Sequence, residues 1–598
     1  MNQTVEDKKG NRSPEERIRQ LVQFLYPQQA AEVFNQLQAI LADFIQRHPE
    51  LRQNAGTRPL TQQDVLLITY ADLFQTPRQP PLQSLKRFLD TYLQGCIQGV
   101  HILPFYPFSS DDGFSIIDYR QVDPALGSWQ DILQLGRFYR LMFDAVINHI
   151  SRRSAWFQRF LAGDPRAQNS FLVVSPDEDL SQVVRPRALP LLTPVQTSQG
   201  TALVWTTFSA DQIDLNYANP DVLLEIVDLL LFYAARGASL IRLDAIAYLW
   251  KEIGTTCIHL PQTHAVVKLF RAVLDAAAPD VLLITETNVP HAENLSYFGA
   301  PIAGHAGTDE AQLVYAFPLA PLVLHTFYAG SARALGEWAA SLSPLPAGTA
   351  FFNFLASHDG IGVRPAEGLL TSEQVEALVE KTLAHGGQVS YKTDPDGSQS
   401  PYELNITWYD ALNDPAHPDP EMDIRRFLAS QAIMLSLAGV PGIYAHSLFG
   451  SRNCCTCYKA TGRARSLNRE KLQLEWLEGR LQDEGSRTSQ VFAGYRQMLQ
   501  TRKQQAAFHP QGDQQVLPGE AGVFALLRTS PDGKEQILCL IEVAGRAHRL
   551  PVNLAESGLA HEAWTDLLTG KIVTAAREIL EVPLPPYGVM WLKPAYQG

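Results

Sequence analysis

The sequence predicts an α/β fold: a (β/α)8 TIM barrel with insertions after strands 3 and 7, an N-terminal helical extension and a C-terminal β domain. Three observations predict it. Eight short apolar runs, each ending in polar or aromatic residues, alternate with helical stretches between residues 65 and 450. Such alternation implies a parallel sheet, and eight units over ~400 residues suit a closed barrel. Two intervals are too long and too rich in proline and polar residues to be simple helical connections, and past residue 510 the rhythm changes to short strands.

Residues 1–60 open the chain with "ERIRQLVQFLYP" and "AAEVFNQLQAILADFIQRH", whose apolar residues recur at helical spacing. These helices are expected to pack on the barrel, with a homodimer contact as the alternative. The barrel region, 61–510, holds "VLLITYAD" (65–72), "GVHILPFYPF" (99–108), "RLMFDAVINHI" (140–150), "SLIRLDAIAY" (239–248), "VLLITETNV" (281–289), "AQLVYAF" (311–317), "FFNFLASHDG" (351–360) and "VPGIYAHSLFG" (440–450). Helical stretches such as "VLLEIVDLLLFYAARG" and "AVVKLFRAVLDAAAP" lie between them. The insertions are 151–220, with "VVRPRALPLLTPVQ", and 361–425, with "HGGQVSYKTDPDGSQSPYELN". Loops longer than ~15 residues in a compact domain are usually functional. Residues 511–598 read as a small β domain, from "GVFALLRT", "EQILCLIEV" and "GVMWLKP".

The net charge of -13 argues against nucleic acid or an anionic membrane as main partner. No apolar run approaches the ~18 residues of a membrane helix, and the polar start "MNQTVEDKKGNRSPEERIRQ" lacks a signal-peptide core, so a cytoplasmic location is expected. Six cysteines in this length make no disulfide framework. The cluster Cys454, Cys455 and Cys457 is read as lacking a CxxC pair, hence as a reduced loop cluster. There is no HxH or HExxH spacing, and no GxGxxG or GxxxxGK, so no metal and no nucleotide cofactor is expected.

In such a barrel the chemistry sits at the C-terminal strand ends. The third run ends in Asp144, Asn148 and His149; the fourth in Arg242 and Asp244; the fifth in Glu286; the seventh in His358 and Asp359. Taken singly, each is better read as a cap, a surface partner or a satisfied core histidine. Their recurrence at four strand ends points instead to glycoside chemistry, in which one carboxylate attacks the sugar carbon and a second protonates the leaving oxygen. Arg242 and Asp244 leave one face of the strand, so the guanidinium is expected to hold the aspartate ionised, and Glu286 is expected to need a raised pKa. A hydrolase or transglucosidase, and a non-catalytic barrel, remain the alternatives.

"DAVINH", "RLDAIAY", "ITETN" and "SHDG" resemble the four motif regions of the α-amylase superfamily, glycoside hydrolase family thirteen. The resemblance implies Asp244 as nucleophile, Glu286 as general acid/base and Asp359 as transition-state stabiliser, with Arg242, His149 and His358 binding the glucosyl unit. It makes 151–220 the domain B insertion and 361–425 the acceptor-loop region. "HILPFYPFSSDDGFSIIDY", "GTTCIHLPQTH" and "HDGIGV" are similar to the sucrose phosphorylase-like branch. That likeness adds Asp111 and Phe114 to the glucose pocket and puts Gln212 and Arg469 near donor and phosphate. It also puts Arg187 and Tyr402 on the two acceptor loops. Within the branch, "ETN" at 286–288 and "YELN" at 402–405 depart from plain sucrose phosphorylases and, with "RPRALPLLTP" and "WTTFSADQIDLN", look closest to glucosylglycerate phosphorylases. The implied reaction is phosphorolysis of 2-O-α-glucosylglycerate to α-glucose 1-phosphate and glycerate, with phosphate as co-substrate and no cofactor. Glycerol, fructose and fructose 6-phosphate stay open as acceptors, because a few loop side chains decide among them.

Overall fold

The computed structural model describes residues 12–595 apart from 54, 55, 57, 58, 187, 188, 303–306, 394–397, 556–558 and 560. Eight parallel strands close into a barrel in chain order. They are β1 (Leu66–Thr69), β2 (Gly99–Ile102), β3 (Arg140–Ala145), β4 (Ala238–Leu243), β5 (Leu282–Thr285), β6 (Leu313–Tyr315), β7 (Ala350–Asn353) and β8 (Val440–Tyr444). Each coincides with one of the eight apolar runs, β4 and β7 starting one residue before theirs. Almost every residue of these strands is buried, because helices cover the outer face and side chains fill the inner one. That is why they read as continuous apolar runs rather than as an alternation.

The described N-terminal residues form α1 (Pro14–Leu25) and α2 (Ala30–Arg47). Ser13 and Glu16 close a capping box at the start of α1. α2 lies against the barrel helices α3 (Pro220–Ala235) and α4 (Pro261–Ala277), and α1 against α4. Arg17 reaches Asp275 at 2.5 Å, and the Tyr26 hydroxyl donates to the Tyr217 carbonyl at 2.7 Å. The packing on the barrel expected from the sequence is therefore present.

Between β3 and α3, short strands 149–151 and 212–214 pair, and 192–197 pairs with 200–205 as a hairpin. A small separate core of Val174, Val183, Leu191, Trp205 and Cys257 supports that hairpin. Between β7 and β8, strand Gln399–Asn405 lies between 388–393 and 361–362 in a three-stranded sheet. From Asp513 onward, six strands form an antiparallel sheet with its own core around Leu538, Leu540 and Trp564. Its seam with the barrel holds Arg528, which donates to the carbonyls of Ser436, His509, Gly512 and Asp513. No helix among the described residues is long and apolar enough to cross a membrane.

The reduced-cluster expectation for the cysteines fails. Cys454 and Cys457 stand three positions apart, which is CxxC spacing, and they form a disulfide. Cys455 between them stays a free, exposed thiol.

Candidate active site

The ends of β3, β4, β5 and β7 surround one cavity at the C-terminal mouth of the barrel. Arg242 on β4 sits opposite Asp144 on β3 in the strand register, and their side chains meet at 2.5 Å. Asp244, two residues on, leaves the same face and accepts from Arg242 at 2.8 Å. Arg242 thus has two carboxylate partners, where the sequence suggested Asp244 alone. His101 on β2 holds the far oxygen of Asp144 at 2.7 Å. Burial opposes ionisation of Asp144, yet His101 and Arg242 hold its carboxyl below the usual range. The stack therefore fixes the guanidinium from below and leaves its upper edge for the cavity.

Glu286 follows β5 and comes within 3.8 Å of Arg242. The Ala245 amide donates to Glu286 Oε2 at 3.1 Å. Ala245 has φ 50°, a left-handed backbone that a residue with a Cβ adopts at a cost of about 1–3 kcal/mol. The strained turn aims its N–H across the site from just beyond Asp244. Burial, together with the negative charges of Asp244 and Asp359, pushes the Glu286 carboxyl up to about 7 against the pull of Arg242. Burial also raises Asp244, against Arg242 and His149. Arg242 is therefore a counterweight to burial and does not hold Asp244 below its ordinary value. The shorter contact keeps more of the cation's attraction on Asp244, so the shared proton belongs on Glu286.

Asp359 follows β7 and faces Arg465 at 2.6 Å. Burial opposes its charge, but Arg465 and Arg469 hold the carboxyl well below the usual range. Burial keeps His358 neutral, and its ring stacks on Phe114 at 4.8 Å. His149 donates from Nε2 to the Phe114 carbonyl at 3.0 Å, and the Gln212 amide donates to the same oxygen and to Asp111. These bonds set the floor and one wall of a pocket with a flat apolar face and a polar rim.

Asp111, Phe114, His149, Gln212, Arg242, Asp244, Glu286, His358, Asp359 and Tyr402 all line this cavity. Arg469 does not. It donates to the His358 carbonyl at 2.8 Å and pairs with Asp112, facing an adjoining groove. Its contacts brace the loop behind Asp359. Arg187 lies outside the described residues. Asn148 is withdrawn from the cavity, bonded to Lys251 and Asp214.

The sequence reading missed Arg465. It reaches the cavity from a turn at 464–468 and is held by Glu403 at 2.9 and 3.2 Å. Glu403, nearly fully buried, stands next to Tyr402 in the strand Gln399–Asn405. The signal that was available is the arginine triplet of "RARSLNRE", from which only Arg469 was drawn. Asn288 was noted only as a departure from relatives; it lines the cavity, and its Oδ1 has no hydrogen-bond partner among the described residues. Among the described residues no group of His, Cys, Asp and Glu is arranged to hold a metal ion.

The family model for the α-amylase catalytic domain matches residues 88–340. The chain is 48% identical over 97% of its length, and 99% of the relative's, to a glucosylglycerate phosphorylase of Spirochaeta thermophila. It is 49% identical over 95% of its length, and 97% of the relative's, to one of Allomeiothermus silvanus. Among solved structures, a sucrose 6F-phosphate phosphorylase from Thermoanaerobacter thermosaccharolyticum superposes with a TM-score of 0.70 at 24% identity, covering 88% of this chain and 98% of that one.

Proposed function

The chain belongs to the α-amylase family, glycoside hydrolase family thirteen, among its glucosylglycerate phosphorylases, and on that premise we propose that it cleaves 2-O-α-glucosylglycerate with phosphate. The products are α-glucose 1-phosphate and glycerate. In this reading Asp244 attacks the anomeric carbon and forms a covalent glucosyl-enzyme. Glu286 gives its proton to the departing glycerate oxygen and then accepts one from phosphate, so configuration is retained over two displacements. Asp359 stabilises the positive charge that develops on the sugar ring. Arg242, His149, His358, Asp111, Phe114 and Gln212 hold the glucosyl unit.

The observation that carries this reading is the pair Asp244 and Glu286 sharing Arg242 unequally, one carboxylate bonded to it and the other pushed up to about 7. One acid and one base from two carboxylates is what retaining transfer needs. Both acceptors are anions and want cationic partners. Arg465 lines the cavity and is the nearest cation to Asp359. Asn288 offers an acceptor atom for a hydroxyl. Arg187 and Tyr402, on the two insertions, complete the proposed acceptor side, and Arg469 holds the loop beneath it.

The test is synthesis in reverse. Glucose 1-phosphate is offered with glycerate, glycerol, fructose or fructose 6-phosphate, and phosphate release is followed. Glycerate is expected to give the highest kcat/KM; a preference for any other member of the panel overturns the acceptor assignment and leaves the phosphorylase assignment standing. The chain takes no cofactor in this reading and works within the cytoplasm.

A further inference from the structure

The disulfide lies directly behind the Arg465 turn. Cys454 donates its backbone N–H to the Leu467 carbonyl at 2.9 Å, and the Thr461 and Ser466 hydroxyls meet at 2.7 Å, so the helix Cys455–Thr461 is fastened to the turn that carries Arg465 and Arg469. The preceding residue ties down the acceptor strand. Asn453 accepts from the Thr407 amide at 2.8 Å and donates its own backbone N–H to Asp410 at 2.7 Å, just past the strand that carries Tyr402 and Glu403. The segment 453–457 therefore joins both sides of the Glu403–Arg465 pair, with the disulfide as its covalent closure. A groove lined by Cys454, Cys455 and the exposed Trp476 opens this corner to solvent. Cys454 is buried, Cys457 is half-buried, and Cys454 Sγ accepts from the Cys457 amide at 3.2 Å.

We propose that Cys454 and Cys457 are a thiol–disulfide exchange site for a small dithiol, and that breaking the bond loosens the hold on Arg465 and weakens binding of the anionic acceptor. One thiolate of the dithiol attacks Cys457 Sγ, on the less buried of the two residues. The S–S bond breaks, and Cys454 leaves as a thiolate stabilised by the Cys457 amide, then takes up a proton. The second thiolate of the dithiol attacks its own sulfur in the mixed disulfide and expels Cys457, which is protonated in turn. Two electrons pass from the dithiol to the cysteine pair, and the dithiol closes to a cyclic disulfide. The kinetic consequence rests on the phosphorylase reading; the exchange itself does not.

The experiment alkylates the native full-length protein before and after dithiothreitol, counts labels by intact mass, and measures KM for phosphate in each state. Cys96, Cys257 and Cys539 are buried, so one label on Cys455 is expected before reduction and three after it. KM for phosphate is expected to rise roughly fivefold on reduction, as for one lost hydrogen bond of about 1 kcal/mol, and to return with oxidised glutathione. Cys457→Ser should show the raised KM whether or not dithiothreitol is present. A single label before and after reduction overturns the exchange site, as does a pair that oxidised glutathione cannot close. Three labels with an unchanged KM overturn the coupling to Arg465. If Cys457→Ser does not fold, the reduction and reoxidation cycle on the unaltered chain decides both points. A protein that labels as expected but never phosphorolyses sugar contradicts the proposed function and leaves the exchange site intact.

Discussion

Arg242 donates to Asp244 at 2.8 Å while its other terminal nitrogen stands 3.8 Å from Glu286, so one guanidinium serves two carboxylates unequally. Asp144 fixes the position of the guanidinium from the neighbouring strand. In the proposed mechanism the nearer carboxylate is the anion and the farther one keeps the proton.

Asp244→Asn removes the proposed nucleophile while keeping its volume. Turnover should fall by roughly four orders of magnitude, with the circular dichroism spectrum unchanged. Initial rates of glucose 1-phosphate formation check this, and near-normal rates would remove Asp244 from the mechanism.

In the proposed mechanism Glu286 sets the alkaline limb. Its folded pKa, about 7, is raised from 4.5 by burial, so the folded enzyme binds the proton more tightly than the unfolded chain does. Stability from this group is full below about 4.5 and is lost as pH rises through about 7, and the active acid is lost over the same upper range. The pH profile of kcat/KM, which reports the free enzyme, should therefore fall above about 7. In Glu286→Gln that limb should disappear from the residual activity.

Arg465 separates the half-buried Asp359 from the buried Glu403. Arg465→Ala takes the paired cation from Glu403 and leaves Asp359 with Arg469 at 3.8 Å, and truncating one side of a buried ion network costs about 3 kcal/mol or more. We expect kcat/KM for phosphorolysis to drop by roughly 100-fold, with Asp359 titrating at higher pH. Steady-state kinetics across pH test it; an unaltered KM for phosphate would exclude Arg465 from the acceptor side.

Arg528 is a cation clamped wholly by carbonyls at the seam between barrel and C-terminal sheet. Arg528→Met should cost about 3 kcal/mol through the unpaired carbonyls left behind. The melting temperature should fall by several degrees with kcat little changed, since the seam lies at the opposite end of β8 from the cavity. Thermal melts and kinetics on the same preparation measure both.

The eight barrel strands were legible because burial on both faces makes each a continuous apolar run, and polar residues that end the third, fourth, fifth and seventh runs line the cavity. Arg242 and Asp244 were legible as a pair because the strand period puts them on one face. Asp144 was legible only as a strand end, since its bond to Arg242 depends on the register between β3 and β4. Arg465 was not legible as a site residue: Glu403, which holds it, lies 62 positions away on an insertion. The disulfide was missed because the three cysteines were weighed as a cluster, although Cys454 and Cys457 alone carry the spacing.

The central claim is that phosphate, and not water, takes the glucosyl group from Asp244. Incubating the enzyme with 2-O-α-glucosylglycerate, with and without phosphate, and following products by NMR tests it most directly. The account predicts α-glucose 1-phosphate and glycerate in equal amounts when phosphate is present, and almost no cleavage without it. Free glucose released at a comparable rate in phosphate-free buffer would contradict it.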